Sequence, residues 1–190
     1  WDSRLELVSY QKDTKNLITV ENQGNDLSGI YQTNLKTGKR KLIYNHDTVD
    51  VGAVLTDENG QVYAASFMDG YPSLVFFKGE SKEKDRIKYV KSLFPDSLII
   101  PSNISEDEAK QTFFVSSDIN PGIYYLVDSE KEEVTPLGRY WSSIDYSNLS
   151  PMEPISFVSR DGTKIYGYLT KSMKGNSYDS PTIVHPHGGP

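Results

Sequence analysis

The residues best suited to chemistry lie at the end of the chain, where an apolar run at residues 181–184 leads into His185-Pro186-His187-Gly188-Gly189-Pro190. Glycine has no Cβ, so two successive glycines let the main chain come close to a reacting group. A backbone N–H placed in this way can donate to the oxyanion of an acyl-transfer intermediate, as in serine hydrolases. We expect the matching nucleophile to lie outside these residues, which would make the chain a piece of a longer enzyme.

Three other motifs contain chemically capable residues, and each has a simpler structural interpretation. Residues 175–179 nearly match the Gly-x-Ser-x-Gly nucleophile turn, but they lack the second glycine and precede a strand instead of following one. His185 and His187 have the spacing of a metal-binding pair, yet glycines follow them and the chain has no cysteine, so we expect no metal site. Asp118 and Asp128 flank an aromatic strand and could line a channel as substrate-binding acids, although turn and cap roles are commoner for aspartate.

Composition and charge exclude several partners and leave the compartment open. The formal net charge is −6 and the pI is near 5.1, which argues against nucleic acid and anionic membranes because both favour a basic face. No apolar stretch reaches the roughly 18 residues of a membrane span, and we expect no cofactor. The absence of cysteine is compatible with either redox compartment. Localisation is therefore cytoplasmic or, if a signal peptide precedes the chain, periplasmic or secreted.

The elements that must position these residues are mainly β-strands in a repeating unit. Each unit has an apolar strand, a polar turn with an aspartate, and further strands rich in aromatic residues; the turn acids are Asp13, Asp57 and Asp107. Four-stranded units that recur every roughly 40 to 50 residues are typical of β-propeller blades. The alternative is an ordinary antiparallel β domain with coincidental spacing. We predict a partial β-propeller, residues 1–138, with about three four-stranded blades over residues 1–46, 47–96 and 97–138.

Three further segments depart from the blade pattern. Residues 81–94 displace the fourth strand of the second unit and have apolar residues at the spacing of one helical face, so we predict a short helix with its charges on a solvated face. Residues 139–154 are predicted to be a connector. Residues 155–190 begin a second domain, because two apolar runs flank Asp161-Gly162, a strong hairpin signal, and residues 181–184 are typical of a buried strand.

Three features together resemble the prolyl oligopeptidase family of serine peptidases. They are the blade-like units, the run from Pro154 to Thr170, and the turn at residues 187–190. Ser117-Asp118 followed by residues 121–128 is similar to the acylaminoacyl-peptidase-like branch. The resemblance covers essentially the whole chain and implies a propeller, commonly of seven blades, that restricts the access of oligopeptides to an α/β-hydrolase domain. This chain would hold about three blades and the first strands of a truncated hydrolase domain.

The resemblance also implies roles for the residues of the final turn. The second glycine of the family's turn matches Gly189, whose backbone N–H would donate to the oxyanion, and one such donor is typically worth about 2.7 to 4 kcal/mol of transition-state stabilisation. His187, Gly188 and Pro190 would shape the turn. The catalytic Ser, Asp and His of the family would follow in that order beyond residue 190. The triad would then be absent from this chain, and the chain alone would be inactive.

Two other functions stay open, and the fold has a consequence for assembly. A carboxylesterase or lipase also uses a His-Gly-Gly turn, although such enzymes usually reach it without blades in front. A non-catalytic propeller fragment that acts as a binding module is the second alternative. Cutting a ring of blades exposes apolar faces on the terminal blades. We therefore predict that this chain self-associates through those faces.

Overall fold

The computed structural model describes residues 4–173, 175 and 181–186. In that part of the chain the protein is mainly β, with four antiparallel sheets, one α-helix and a 3-10 turn at Tyr146–Asn148. The prediction of a mainly β fold is confirmed. The first sheet contains β1 Leu5–Gln11, β2 Asn16–Glu21, β3 Gly29–Asn34 and β4 Arg40–Asn45.

The remaining sheets follow in chain order. The second sheet contains β5 Val54–Thr56, β6 Val62–Asp69 and β7 Tyr71–Phe76. The third contains β8 Leu98–Ile104, β9 Lys110–Ser116, β10 Ile123–Asp128 and β11 Glu133–Arg139. A two-stranded hairpin contains β12 Met152–Val158 and β13 Lys164–Thr170. Within each sheet every strand pairs with its neighbour in sequence, which is the meander arrangement of propeller blades.

The second sheet packs against both of the other large sheets. Ala64 of β6 belongs to one apolar cluster with Phe113 and Val115 of the third sheet, and Ala65 belongs to another with Ile18 of the first sheet. Successive side chains of a strand point to opposite faces. A strand with both faces covered is therefore apolar at adjacent positions, whereas a strand with one solvated face alternates. This accounts for the nearly continuous burial of β6.

The second sheet has three strands instead of the predicted four, and helix α1, Lys82–Leu93, follows β7 in the chain where a fourth strand was expected. Its apolar positions Ile87 and Val90 are fully buried, as their spacing predicts. The Ser81 side chain accepts a hydrogen bond from the Lys84 N–H and caps the first turn. Within the described residues no helix has the length and apolar character needed to cross a bilayer.

The prediction that the charges of α1 form a solvated face is wrong for two of them. Lys84 and Arg86 are buried. The Lys84 Nζ donates to the carbonyls of Phe77 and Gly79 at 2.7 and 2.6 Å, and the Arg86 Nε donates to Gln111 Oε1 at 2.8 Å. Buried cations are tolerated when hydrogen-bond acceptors replace their hydration. The acceptors come from neighbouring elements, which alternation of charge along the helix does not reveal.

The hairpin of β12 and β13 is confirmed, although it begins at Met152 instead of residue 155. Its turn contains Asp161, which accepts from the Thr163 N–H at 3.0 Å, and Gly162, whose φ of 88° is unstrained only for glycine. No residue of either strand is buried, and neither apolar cluster includes a hairpin residue. The assignment of residues 155–190 to a second domain stays a prediction.

The prediction of a buried strand after the hairpin is wrong in this structure. Residues 181–186 form no strand, and Ile183 and Val184 are 92% and 85% exposed. A buried strand needs neighbouring strands and elements that cover both faces. The described part of the chain places no such neighbours against these residues.

Candidate functional site

The predicted oxyanion turn lies outside the described residues. This applies to Gly189 and to its neighbours His187, Gly188 and Pro190. The near-match to a nucleophile turn at residues 175–179 also lies outside, apart from its first glycine. Among the residues that are described, no group of three or more His, Cys, Asp and Glu side chains could hold a metal ion. The geometry that can be described lies where the sheets and the hairpin meet.

A cleft of about 260 Å³ opens between the second sheet, the third sheet and the hairpin. We call it the junction cleft. Its apolar lining includes Met68, Leu98 and Met152, and its polar lining includes Ser116 and Asp118. Small-molecule sites usually measure about 300 to 1,000 Å³. The junction cleft therefore has room for one or two side chains of a peptide, and not for a whole oligopeptide.

Three hydrogen bonds join the hairpin to the two sheets around this cleft. The Tyr168 hydroxyl donates to the Gly70 carbonyl at 2.6 Å, and the Met152 N–H donates to Asp118 Oδ2 at 2.7 Å. The Tyr71 hydroxyl donates to the Met152 carbonyl at 3.4 Å, a distance at which a hydrogen bond is weak. The hairpin is thus bonded to the β6–β7 turn and to the end of β9 at the same time.

The bond between Tyr168 and Gly70 depends on a close approach of the backbone. Gly70 has a φ of +77°, and a Cβ on it would lie 3.2 Å from Pro154 Cγ of the hairpin. A larger residue would therefore be strained and would press against β12. Burial raises the pKa of the Tyr168 hydroxyl, and Asp69 and Tyr71 raise it further. The hydroxyl accordingly remains a proton donor at neutral pH.

Lys91 of helix α1 donates hydrogen bonds to the backbone of the cleft wall. Its Nζ donates to the carbonyl of Pro72, a lining residue, at 2.9 Å and to that of Ser97 at 3.1 Å. Burial lowers the pKa of the Lys91 amine, and the nearby carboxylate of Asp96 opposes that shift. The wall formed by β7 is therefore connected to the helix by a half-buried cation.

Asp128 has the commoner of its two predicted roles, that of a turn residue. Its Oδ1 accepts from the N–H groups of Glu130 and Lys131 at 3.2 Å each. Burial raises the pKa of Asp128, but these hydrogen bonds and the charges of Lys110 and Lys131 outweigh it, so the pKa lies below its ordinary value. Asp128 closes the turn between β10 and β11 and does not line the junction cleft.

Asp118, the other candidate acid, does line the cleft. Its Oδ1 accepts from the Ile119 N–H at 2.9 Å while its Oδ2 accepts from Met152. Both oxygens are thereby engaged by backbone N–H groups. In this structure Asp118 connects two elements and does not present a free carboxylate to a ligand.

The sequence motifs did not indicate the residues that hold the hairpin, which are Gly70, Tyr71, Met152 and Tyr168. One signal could have located the first of them, because Asp69-Gly70 between two apolar runs is the same pattern that predicted the later hairpin. No local pattern pairs Tyr168 with Gly70, since 98 residues separate them.

The described residues contain no hydrogen bond between a serine hydroxyl and a histidine. The Nδ1 of His46 is paired instead with the Thr48 hydroxyl at 3.2 Å, and His185 is exposed. Nucleophilic catalysis by serine needs a base within hydrogen-bond reach. The described part of the chain therefore shows no nucleophile–base pair, and the location of the triad stays a prediction.

Comparison with known proteins gives similarities in both sequence and fold. No family-level sequence model matches the chain. The chain is 22% identical over 191 residues to dipeptidyl aminopeptidase BIII of Pseudoxanthomonas mexicana, a match that covers 94% of this chain and 27% of that protein. It also resembles a solved prolyl endopeptidase, with a TM-score of 0.53, 11% identity and coverage of 90% of this chain and 24% of that one. A post-proline cleaving enzyme from Rickettsia typhi gives a TM-score of 0.50 and 15% identity, covering 94% of this chain and 27% of that one.

The chain spans about a quarter of the length of each of these proteins. The two structures show that its fold is shared with part of a post-proline-cleaving enzyme, while the curated relative is a peptidase by name. The acylaminoacyl-peptidase-like branch is not distinguished by these matches. In sequence and in fold, the chain is therefore similar to part of the peptidases of the prolyl oligopeptidase family.

Proposed function

We propose that this chain is part of a serine peptidase that cleaves short peptides. The observation that carries the proposal is the extent of the match to a dipeptidyl aminopeptidase, which covers 94% of the chain and so includes both the sheets and the hairpin. In this proposal residues 1–138 belong to a propeller that filters access. Residues 139–154 connect it to the catalytic domain, which begins at residue 155.

The catalytic contribution of this chain would come from its final turn. The backbone N–H of Gly189 would donate to the oxyanion, and His187, Gly188 and Pro190 would hold the turn in shape. The nucleophile, acid and base would come from residues beyond 190. The isolated chain would therefore be inactive, and the enzyme would belong to the acylaminoacyl-peptidase-like branch.

The test compares this chain with the full-length protein on peptide p-nitroanilides and p-nitrophenyl esters, each with and without a serine-directed phosphonate. We expect activity in the full-length protein alone, with peptides preferred and with complete loss on phosphonate treatment. A preference for esters would support the carboxylesterase or lipase alternative. Activity in this chain, or in neither protein, would contradict the proposal, and the second of these results would favour a binding module.

A variant of the turn tests the role of Gly189 in the full-length protein. Gly189→Pro removes the N–H, and loss of one oxyanion donor typically lowers kcat by about 10² to 10³-fold. Gly138→Ala is the control, because Gly138 does not have a positive φ and a Cβ on it meets nothing within 4 Å. Unchanged kcat in Gly189→Pro would exclude this residue as the donor.

A further inference from the structure

The hairpin of β12 and β13 is attached to the rest of the molecule differently from the three large sheets. Those sheets share two apolar clusters, and no hairpin residue belongs to either. Large apolar side chains of the hairpin such as Phe157 and Val158 are exposed. Segments with few buried apolar contacts open locally at low free energy. The position of the hairpin therefore depends on the polar contacts at the junction cleft.

We propose that Asp118 and Tyr168 are positioning residues, which with Gly70 and Met152 form a latch that holds the hairpin against the sheets. The latch consists of the bond from Tyr168 to Gly70 and the bond from Met152 to Asp118. When both bonds break, the hairpin moves away as a unit and the junction cleft widens. This step rests on the proposed function: the latch then fixes the position in space of the first strands of the catalytic domain relative to the sheets.

The two bonds constrain the hairpin because they end on different rigid elements. Gly70 directly follows β6, the most buried strand of the second sheet, and Asp118 follows β9 of the third sheet. Two attachments on separate sheets restrict rotation of the hairpin as well as its distance. The bond to Asp118 has a charged acceptor, and hydrogen bonds to a carboxylate are generally stronger than those to a neutral carbonyl.

Amide hydrogen exchange on this chain tests the latch. Tyr168→Phe deletes the bond to Gly70, and Asp118→Ala deletes the bond from Met152 together with the local bond from the Ile119 N–H. The loss of a latch bond of ordinary net strength should speed exchange across β12 and β13 by about 2- to 10-fold. Exchange in β9 and β10 should not change. Asp118→Asn keeps an acceptor oxygen and should fall between Asp118→Ala and the unaltered chain. Tyr166→Phe is the control, because the Tyr166 hydroxyl has no hydrogen-bond partner among the described residues.

Two results would overturn the proposal. Unchanged exchange of the hairpin in both Tyr168→Phe and Asp118→Ala would show that the bonds do not hold it. Equal acceleration in the hairpin and the sheets would show that they unfold as one cooperative unit. Hydrogen exchange does not depend on peptidase activity. The latch proposal can therefore fail while the proposed function stands, and the proposed function can fail while the latch proposal stands.

A distance measurement provides a second and independent readout. The chain contains no cysteine, so Glu130→Cys and Arg160→Cys can carry a pair of spin labels, one at the β10–β11 turn and one at the hairpin turn. We expect Tyr168→Phe to broaden the distance distribution between the labels, and Tyr166→Phe to leave it unchanged. Identical distributions in all three proteins would contradict the latch.

Discussion

The second sheet and the hairpin of β12 and β13 have the same local construction and opposite surroundings. Both contain antiparallel strands joined at an Asp-Gly dipeptide, Asp69-Gly70 in one and Asp161-Gly162 in the other. In the second sheet both faces pack against neighbouring sheets, whereas Phe157 of the hairpin is 56% exposed. Strand pairing therefore sets the local structure, and neighbouring layers decide how firmly it is held.

The largest expected effect compares two phenylalanines, one from each environment. Phe113→Ala empties a fully buried site in the cluster between the second and third sheets and should lower the free energy of unfolding by about 3 to 5 kcal/mol. Phe157→Ala removes an exposed ring and should change it by no more than about 0.5 kcal/mol. Urea denaturation followed by circular dichroism measures both. Similar losses of unfolding free energy in the two variants would contradict the proposed difference between the two regions.

A second test concerns a buried polar contact beneath helix α1. Gln111→Leu leaves the Arg86 Nε buried without its 2.8 Å acceptor and should lower the free energy of unfolding by about 1.5 to 3 kcal/mol. Thr112→Val on the same strand loses only an exposed bond of 3.3 Å to the Asn103 carbonyl. Its cost should stay below about 0.5 kcal/mol. The same urea denaturation experiment measures whether the buried contact between Arg86 and Gln111 contributes the expected free energy of unfolding.

The exposed outer faces of the first and third sheets lead to a prediction about self-association. Leu7 on the first sheet is 69% exposed, and Tyr140 and Trp141 extend an exposed aromatic cluster beside the third. Uncovered apolar faces favour association. We expect sedimentation to depend on concentration, and Leu7→Lys to weaken self-association by about tenfold, or about 1.4 kcal/mol. Met173→Lys is the control outside the sheets, and a strictly monomeric chain would contradict the prediction.

The smallest effect is a difference in pH response between the core and the hairpin. Burial raises the pKa of Tyr63 to about 12, so its contribution to stability is present below pH 10 and is lost as pH rises through 12. A hydrogen bond from the Ser159 hydroxyl, with further bonds from Thr163, lowers the pKa of Asp161 to about 2. That contribution is present above the unfolded pKa of 3.8 and is lost as pH falls through 2.

Titration by NMR of the hairpin amides, and by ultraviolet absorbance of tyrosinate, measures these two transitions. Ser159→Ala should move the Asp161 transition upward and leave that of Tyr63 unchanged. A midpoint for Asp161 near 3.8 in the unaltered chain would contradict the assigned hydrogen bonds.

The turn acids show how far the repeat could be predicted. Asp57 accepts from the Gln61 N–H at 2.8 Å and Asp107 from the Ala109 N–H at 3.0 Å, so two of the three close their turns as expected from aspartate chemistry. In the first turn Gln11 instead accepts from the Thr14 hydroxyl at 3.1 Å. Composition predicts that a turn forms. Which side chain accepts the hydrogen bonds of that turn depends on which acceptors come within reach of its donors.

The sequence by itself determined the order of strands, the helix in the second unit and the Asp161-Gly162 hairpin. These features depend on residues a few positions apart, whose periodicity and turn preferences act locally. Only the tertiary structure decided which sheet faces are covered, that Arg86 is buried, and that Tyr168 bonds to Gly70. The physical reason is that burial and hydrogen-bond partners come from elements distant in sequence, so no local pattern encodes them.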